Sequence, residues 1–183
     1  GSSETSKIRE TIKTSESKST TVSESTSEDE TTVIQLEFDF NHGDKGFEAG
    51  FSDLPIEYND EIYGLDSGIK ELPEELGEGQ GFYITGMNRS DDLFMFLTKE
   101  LGQAEGIVAN QDYEIKFEIE FGSNAFANSF GIGGSPAESV YLKAGANSIK
   151  PEAIEGEEGD TPMYWKNIDK GQESEGGEDA KVI

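Results

Sequence analysis

One polar segment of the sequence, Asn-Arg-Ser-Asp-Asp at 88–92, has the composition of a ligand-binding loop. Arg89 is one of only two arginines in the chain. A planar guanidinium beside carboxylates hydrogen-bonds well to polar ligands such as sugars. Tyr164 and Trp165 offer aromatic faces on which such a ligand can stack. The sequence therefore predicts a binding site formed by Asn88, Arg89, Asp91, Asp92 and Trp165.

Each of these residues also has a structural interpretation. Segment 88–92 stands between Gly86 and the apolar run Leu93–Leu97, which is typical of a turn that enters a buried strand. In such a turn, an ion pair of Arg89 with a neighbouring aspartate satisfies the loop without any ligand. Core packing is the ordinary role of a tryptophan such as Trp165.

The residues needed for most enzymatic mechanisms are absent from the sequence. The chain has no cysteine, and its single histidine, His42, stands in a turn beside Gly43. No serine lies in a Gly-x-Ser-x-Gly elbow. A carboxylate pair for glycoside hydrolysis is defined by its separation in space, so it cannot be chosen among 39 acidic residues. We therefore predict that the protein is not an enzyme and keep a glycoside hydrolase as the third alternative.

Two loops resemble cofactor or metal sites only in part. The segment 131–136 (Gly-Ile-Gly-Gly-Ser-Pro) has proline where the dinucleotide fingerprint has its third glycine, and no Lys-Ser/Thr pair completes a phosphate loop. Asp39–Asp44 resembles the opening of a calcium loop, but the twelfth position, which an EF-hand fills with glutamate, is Gly50. The sequence predicts no cofactor and leaves a structural calcium ion as the one metal open.

The charge is distributed unevenly along the chain. The formal net charge is -25, of which residues 1–32 carry only 7 acidic against 4 basic side chains. The same 32 residues contain 17 Ser or Thr and too few apolar side chains to offset the entropy of ordering, so we expect a disordered tether. The acidity belongs to residues 33–183, and such a surface repels phosphate backbones, which argues against nucleic-acid binding.

Residues 33–183 show the alternation of short β-strands. Val33–Phe40 and Tyr113–Phe121 alternate apolar with polar side chains, and Leu93–Leu97 is apolar on both faces. The nine predicted strands also include 47–51, 81–85, 126–133, 138–143, 163–168 and 180–183, whereas 150–162 is predicted as an acidic loop. The sequence predicts an all-β fold, an antiparallel β-sandwich of jelly-roll type, as one domain at 33–183.

Three stretches carry a resemblance to a known family. They are 38–55 (Phe-Asp-Phe, then Gly-Phe-x-x-Gly-Phe-x-Asp-Leu-Pro), 86–96 (Gly-x-Asn-Arg-Ser-Asp-Asp-Leu-Phe-Met-Phe) and 131–145 (Gly-Ile-Gly-Gly-Ser-Pro-x-Glu-Ser-Val-Tyr-x-Lys-Ala-Gly). Most of residues 33–146 resembles a family of exported bacterial proteins, many of them lipoproteins, with a β-sandwich-like domain and no assigned activity. The resemblance implies export and a native chain that continues past Ile183.

We therefore expect an extracellular protein at the bacterial cell surface, made as a precursor with an N-terminal lipid anchor. No apolar run is long enough to span a membrane. The predicted function is that of a non-catalytic module, a monomer that binds carbohydrate or another polar ligand, with a cell-surface glycan or protein as partner. The alternative is a structural or adhesive surface domain without a small ligand.

Overall fold

The structure is a computed structural model that describes residues 12–16, 32–89, 92–124 and 140–183. Every strand pair in these residues is antiparallel, and their one α-helix is the short Asp60–Tyr63. The all-β class predicted from the sequence is confirmed. None of the described helices has the length and apolarity needed to cross a bilayer.

The described residues fall into two compact units. Residues 12–16, 32–38 and 101–123 belong to the first unit, and 39–89, 92–100, 124 and 140–183 belong to the second. The domain predicted at 33–183 therefore contributes to both units. The predicted tether at 1–32 lies outside the described residues, apart from 12–16 and Thr32.

The first unit contains the strand pair β1 (Ile12–Glu16) and β2 (Thr32–Leu36), joined in the register Thr14 to Ile34. A 3-10 turn at Gln103–Glu105 is closed by a hydrogen bond from the Gly102 backbone N–H to the Glu105 carboxylate, 2.8 Å. Its polar cap explains why the chain turns there, since the bond satisfies a backbone donor that the short helix leaves unpaired.

The second unit holds the remaining strands. Two-stranded pairs are formed by β3 (Glu48–Ser52) with β7 (Phe94–Thr98), by β5 (Asp66–Glu71) with β6 (Gln80–Thr85), and by β8 (Lys143–Ala144) with β11 (Lys181–Val182). A three-stranded sheet has the order β4 (Leu54–Pro55), β10 (Thr161–Lys166), β9 (Ala153–Glu158). Further 3-10 turns lie at Phe40–His42 and Glu74–Leu76.

The core of this unit lies where the chain passes from one sheet to another at Asp53. The strand β3 ends at Ser52 in the β3–β7 pair, and Leu54 begins β4 in the three-stranded sheet. Asp53 turns the chain with a φ of 61°, a left-handed conformation that aspartate tolerates better than most residues. Ser52, Leu54 and Met163 are buried around it. The two sheets contact each other there, which gives the sandwich-like arrangement.

The structure differs from the sequence-based expectation in segments 113–121 and 150–162, and it contains the strand β5, which was not predicted. In 113–121, Tyr113, Ile115 and Phe117 are half-buried as the alternation predicts, but the segment has only an isolated bridge at Lys116 and is not a strand of a sheet. The acidic segment predicted as a loop contains β9, and Gly159 closes the β9–β10 hairpin with a φ of 60°. The strand predicted at 126–133 lies outside the described residues, as does the start of the one at 138–143.

One close approach of aromatic ring to backbone fixes how the β3–β7 pair packs. The ring of Phe96 lies over Gly50, its cross-strand partner, so that a Cβ at position 50 would stand 2.2 Å from Phe96 Cζ. We therefore expect Gly50→Ala to destabilise the protein by about 1–3 kcal/mol, because the ring must move out of its position. Gly102→Ala is the control, since a Cβ there meets nothing within 4 Å. Equal urea midpoints for the two variants would contradict the expectation.

Candidate functional site

The candidate site begins with a buried carboxylate. Asp53 is only 5% exposed, although an isolated carboxylate is costly to bury. Its groups are all engaged: the backbone N–H donates to the Tyr164 carbonyl at 2.6 Å, and the Ser52 hydroxyl donates to Oδ2 at 2.7 Å. The Lys170 ammonium lies 3.4 Å from Oδ1. The sequence thus places a charged pair at the point where the two sheets meet.

A second lysine approaches the same region from β10. The Lys166 ammonium lies 3.3 Å from the centre of the Phe96 ring, in a cation–π contact with the residue that covers Gly50. Its Nζ is buried and has no hydrogen-bond acceptor among the described residues. Burial lowers the pKa of Lys166 to about 8, while the charges of Glu152 and Asp53 oppose that shift. Lys166 is therefore a desolvated amine beside a buried ion pair.

These groups border a cavity of about 240 Å³. Its wall is formed by the end of β10 and the segment that follows, together with the buried aspartate: Asp53, Trp165, Lys166, Ile168, Asp169, Lys170, Gly171 and Gln172. The indole of Trp165 packs on β9, where a Cβ at Gly156 would come within 2.7 Å of it. Trp165 is half-buried, so the sheet holds the ring at the cavity wall instead of enclosing it completely.

The segment that follows β10 is held in place by its own hydrogen bonds. Asp169 accepts from the backbone N–H groups of Gly171 at 3.0 Å and Glu178 at 2.9 Å. Both bonds hold the pKa of the Asp169 carboxyl below its usual value, and the bond from Glu178 has the larger effect. The Lys143 ammonium bonds to the carbonyls of Lys170 at 2.8 Å and Glu175 at 2.9 Å. This part of the cavity wall is therefore fixed by polar contacts.

Four of the five predicted site residues are described, and only Trp165 lies at this cavity. Arg89 is exposed and its Nη2 lies 3.9 Å from Met87 Sδ, while Asn88 accepts from the Leu93 backbone N–H at 3.3 Å. Asp92 is exposed. Asp91 lies outside the described residues, so the structure does not test whether it pairs with Arg89.

In the calcium-like loop at 39–44, the carboxylates of both aspartates accept hydrogen bonds from nearby backbone N–H groups. Asp39 accepts from the Asn41 N–H at 2.9 Å, and Asp44 accepts from the Gly46 N–H at 2.8 Å. In the described part of the chain, no group of three or more acidic or histidine side chains is arranged to hold a metal ion.

Sequence reasoning missed Asp53, Lys166, Lys170 and Gln172 as site residues. Two features of the sequence indicate that Asp53 and Lys166 are buried. Ser52 and Asp53 stand between the apolar residues Phe51 and Leu54, and Lys166 ends the apolar run that begins at Met163. Polar side chains inside such runs are buried with a partner when the run is a strand.

Comparison of this chain with protein-family models, with curated proteins and with solved structures finds no match in any of the three.

Proposed function

We propose that the protein is an exported bacterial surface module, without catalytic activity, that binds a small neutral polar ligand, most simply one ring of a carbohydrate, at the cavity beside Trp165. The observation that carries the proposal is the composition of that wall: one aromatic ring, one amide side chain (Gln172) and charged groups of both signs. Export is supported by the Ser/Thr-rich segment 1–32 and by the resemblance of residues 33–146 to exported proteins.

The size and charge of the cavity favour a sugar over an ion. Pockets that bind drug-sized ligands measure roughly 300–1,000 Å³, so a cavity of about 240 Å³ suits a single ring. Two acidic and two basic residues line the wall, which gives no strong preference for either sign of charge. Hydroxyl groups both donate and accept hydrogen bonds, and therefore match a wall of mixed polarity.

The alternative of a glycoside hydrolase receives little support from the two carboxylates at the cavity. A general acid for glycosidic cleavage needs a raised pKa. Hydrogen bonds from backbone amides hold the pKa of Asp169 below its usual value, and those bonds occupy its carboxylate oxygens. The carboxylate of Asp53 is engaged by Ser52 and Lys170.

The alternative of a purely structural surface domain predicts that Trp165 packs entirely in the core. The half-buried ring at a cavity wall favours a binding role instead. Surface exposure is checked by protease treatment of intact bacteria that carry the complete native gene; protection of the protein until lysis would argue against export to the surface.

Binding can be followed directly because Trp165 is the only tryptophan in the chain. We expect its fluorescence to shift on titration with a sugar identified from a glycan array, since stacking changes the environment of the indole. Gln172→Ala should weaken that binding by about tenfold, because the loss of one hydrogen bond of roughly 1.4 kcal/mol lowers the affinity by that factor. Gln172 is exposed, so the variant is expected to fold.

Arg89→Ala is the matched control, because Arg89 belongs to the site predicted from sequence and not to the cavity wall. We expect this variant to bind as the wild type does. Loss of binding in Arg89→Ala with full binding in Gln172→Ala would move the site to the segment around Arg89. Absence of any bound glycan on the array would overturn the carbohydrate proposal.

A further inference from the structure

An amine and a carboxyl group meet in the interior of the second unit. The Asp53 and Lys170 side chains are 6% and 13% exposed, and Nζ of Lys170 lies 3.4 Å from Oδ1 of Asp53. That separation is longer than the ~2.7–2.9 Å of a short charge-assisted hydrogen bond. The two groups are therefore held close together in the interior, at a distance longer than that of a short hydrogen bond.

The surroundings disfavour the charged forms of both groups. Lys170 Nζ lies 5.3 Å from the centre of the Phe94 ring, and the neighbours of Asp53 in sequence, Ser52 and Leu54, are fully buried. A buried carboxylate and a buried ammonium each carry a desolvation cost. Condensation of the two groups to an amide removes both charges, so burial favours the linked product over the separate groups.

We propose that Asp53 and Lys170 condense to form an intramolecular isopeptide bond. In this step one ammonium proton of Lys170 passes to Asp53 Oδ1, the neutral Nζ attacks Asp53 Cγ, the Nζ–Cγ bond forms, and the Cγ–Oδ1 bond breaks. Oδ1 leaves as water with two of the three protons of the original ammonium, so the step needs no oxidant and no further reactant. The net charge of the protein is unchanged, because one positive and one negative charge disappear together.

Ser52 is placed to assist this reaction. Its hydroxyl donates to Oδ2 at 2.7 Å, and Oδ2 is the oxygen on which negative charge gathers in the tetrahedral intermediate. Lys170 is the lysine that pairs with Asp53, whereas Lys166 Nζ rests on the Phe96 ring. The roles are therefore distinct: Lys170 is the nucleophile and Ser52 stabilises the oxyanion.

The bond would link the crossing between the sheets to the segment after β10. A covalent link between residues so far apart in the chain restricts the unfolded state strongly, as a disulfide does. The chain has no cysteine and so cannot form a disulfide. An isopeptide bond between Asp53 and Lys170 supplies the equivalent cross-link without thiol chemistry.

The test is the intact mass of the folded full chain, measured by mass spectrometry under denaturing conditions. We expect a mass lower than that of the sequence by one water, and a branched proteolytic peptide that contains both Asp53 and Lys170. Protein purified in urea and never folded should keep the full mass, then lose one water on refolding. Full mass after refolding, with native Trp165 fluorescence restored, would overturn the proposal.

Two variants test the chemistry. Lys170→Arg keeps the positive charge but lacks a primary amine, so it should keep its full mass. Asp53→Asn should condense with loss of ammonia and give the same final mass as the linked wild type, a result that a merely structural ion pair cannot produce. A branched peptide at Lys166 in place of Lys170 would refute the assignment of the nucleophile.

Discussion

Replacement of Asp53 by alanine is expected to destabilise the second unit by about 3–5 kcal/mol, the usual cost of leaving a buried charge without its partner. Lys170 would remain with its ammonium largely buried and its carboxylate partner gone. Alanine would also have to adopt the φ of 61° found at this position, at a further cost of about 1–2 kcal/mol. Since whole domains are stable by only about 5–15 kcal/mol, this variant should be close to unfolding at room temperature.

The measurement is urea unfolding followed by the fluorescence of Trp165, which reports on the second unit because the only tryptophan lies there. Asp53→Asn is the conservative comparison, since asparagine tolerates the left-handed conformation, can still accept from Ser52 and keeps a group that can condense with Lys170. Asp160→Ala, at an exposed position of the β9–β10 turn, is the control and should change stability by less than about 0.5 kcal/mol. A loss below about 1 kcal/mol for Asp53→Ala would show that the buried pair contributes little.

The strands that could be predicted from sequence are those dense in apolar side chains. The segments around Phe51, Tyr83, Phe96 and Tyr164 were all recognised by their aromatic and β-branched residues and became β3, β6, β7 and β10. The strand β9 was missed because it carries three glutamates and one glycine. Its place is set by the tight turn at Gly159 and by the indole of Trp165, which covers Gly156.

In segment 113–121 the sequence predicted a strand that the structure does not place in a sheet. Its alternation predicted correctly that Tyr113, Ile115 and Phe117 turn inward, but Phe121 at the end of the segment is 40% exposed. Membership of a sheet depends on a partner strand elsewhere in the chain, and the alternation itself does not encode that partner.

The candidate site was predictable only through Trp165. The sequence Asp-Leu-Pro at 53–55 is typical of a strand break, and the chain does turn there, but Ser52, Asp53 and Leu54 are also buried. Whether an aspartate or lysine in such a segment faces solvent or a partner depends on contacts between segments that are distant in the chain. The pair of Asp53 with Lys170, 117 positions apart in the numbering of the chain, is a contact of that kind.

The pKa of about 8 for Lys166 leads to a second large effect, on the pH dependence of stability. A lysine in the unfolded chain has a pKa near 10.5, so between about pH 8 and pH 10.5 the unfolded state binds more protons than the folded state. Unfolding becomes less favourable as pH rises through that window, because the penalty for burying the ammonium disappears when the folded protein releases its proton. Below pH 8 the lysine is charged in both states and the penalty is fully present.

Lys166→Met keeps the length of the side chain and removes the charge that rests on Phe96. We expect this variant to be more stable than the wild type at pH 7 by on the order of 1–3 kcal/mol, since one pKa unit corresponds to about 1.4 kcal/mol. Because the wild type gains stability as its lysine becomes neutral, the difference between the two proteins should shrink towards pH 10. Urea unfolding of both proteins at pH 7 and pH 10 measures this difference in stability. The titration of every other group is common to the two proteins and cancels in the difference.

The control for simple loss of a positive charge is Lys150→Met, in the same unit, whose lysine side chain is 59% exposed. The strongly acidic chain should lose a little stability from this change, since each remaining lysine offsets part of the repulsion among 39 acidic residues. Lys166→Met removes the same charge and is expected to change stability in the opposite direction. If both variants are destabilised alike at pH 7, then attraction of the Lys166 ammonium to Asp53, Glu152 and the Phe96 ring outweighs its desolvation, and the amine is held charged in the folded protein.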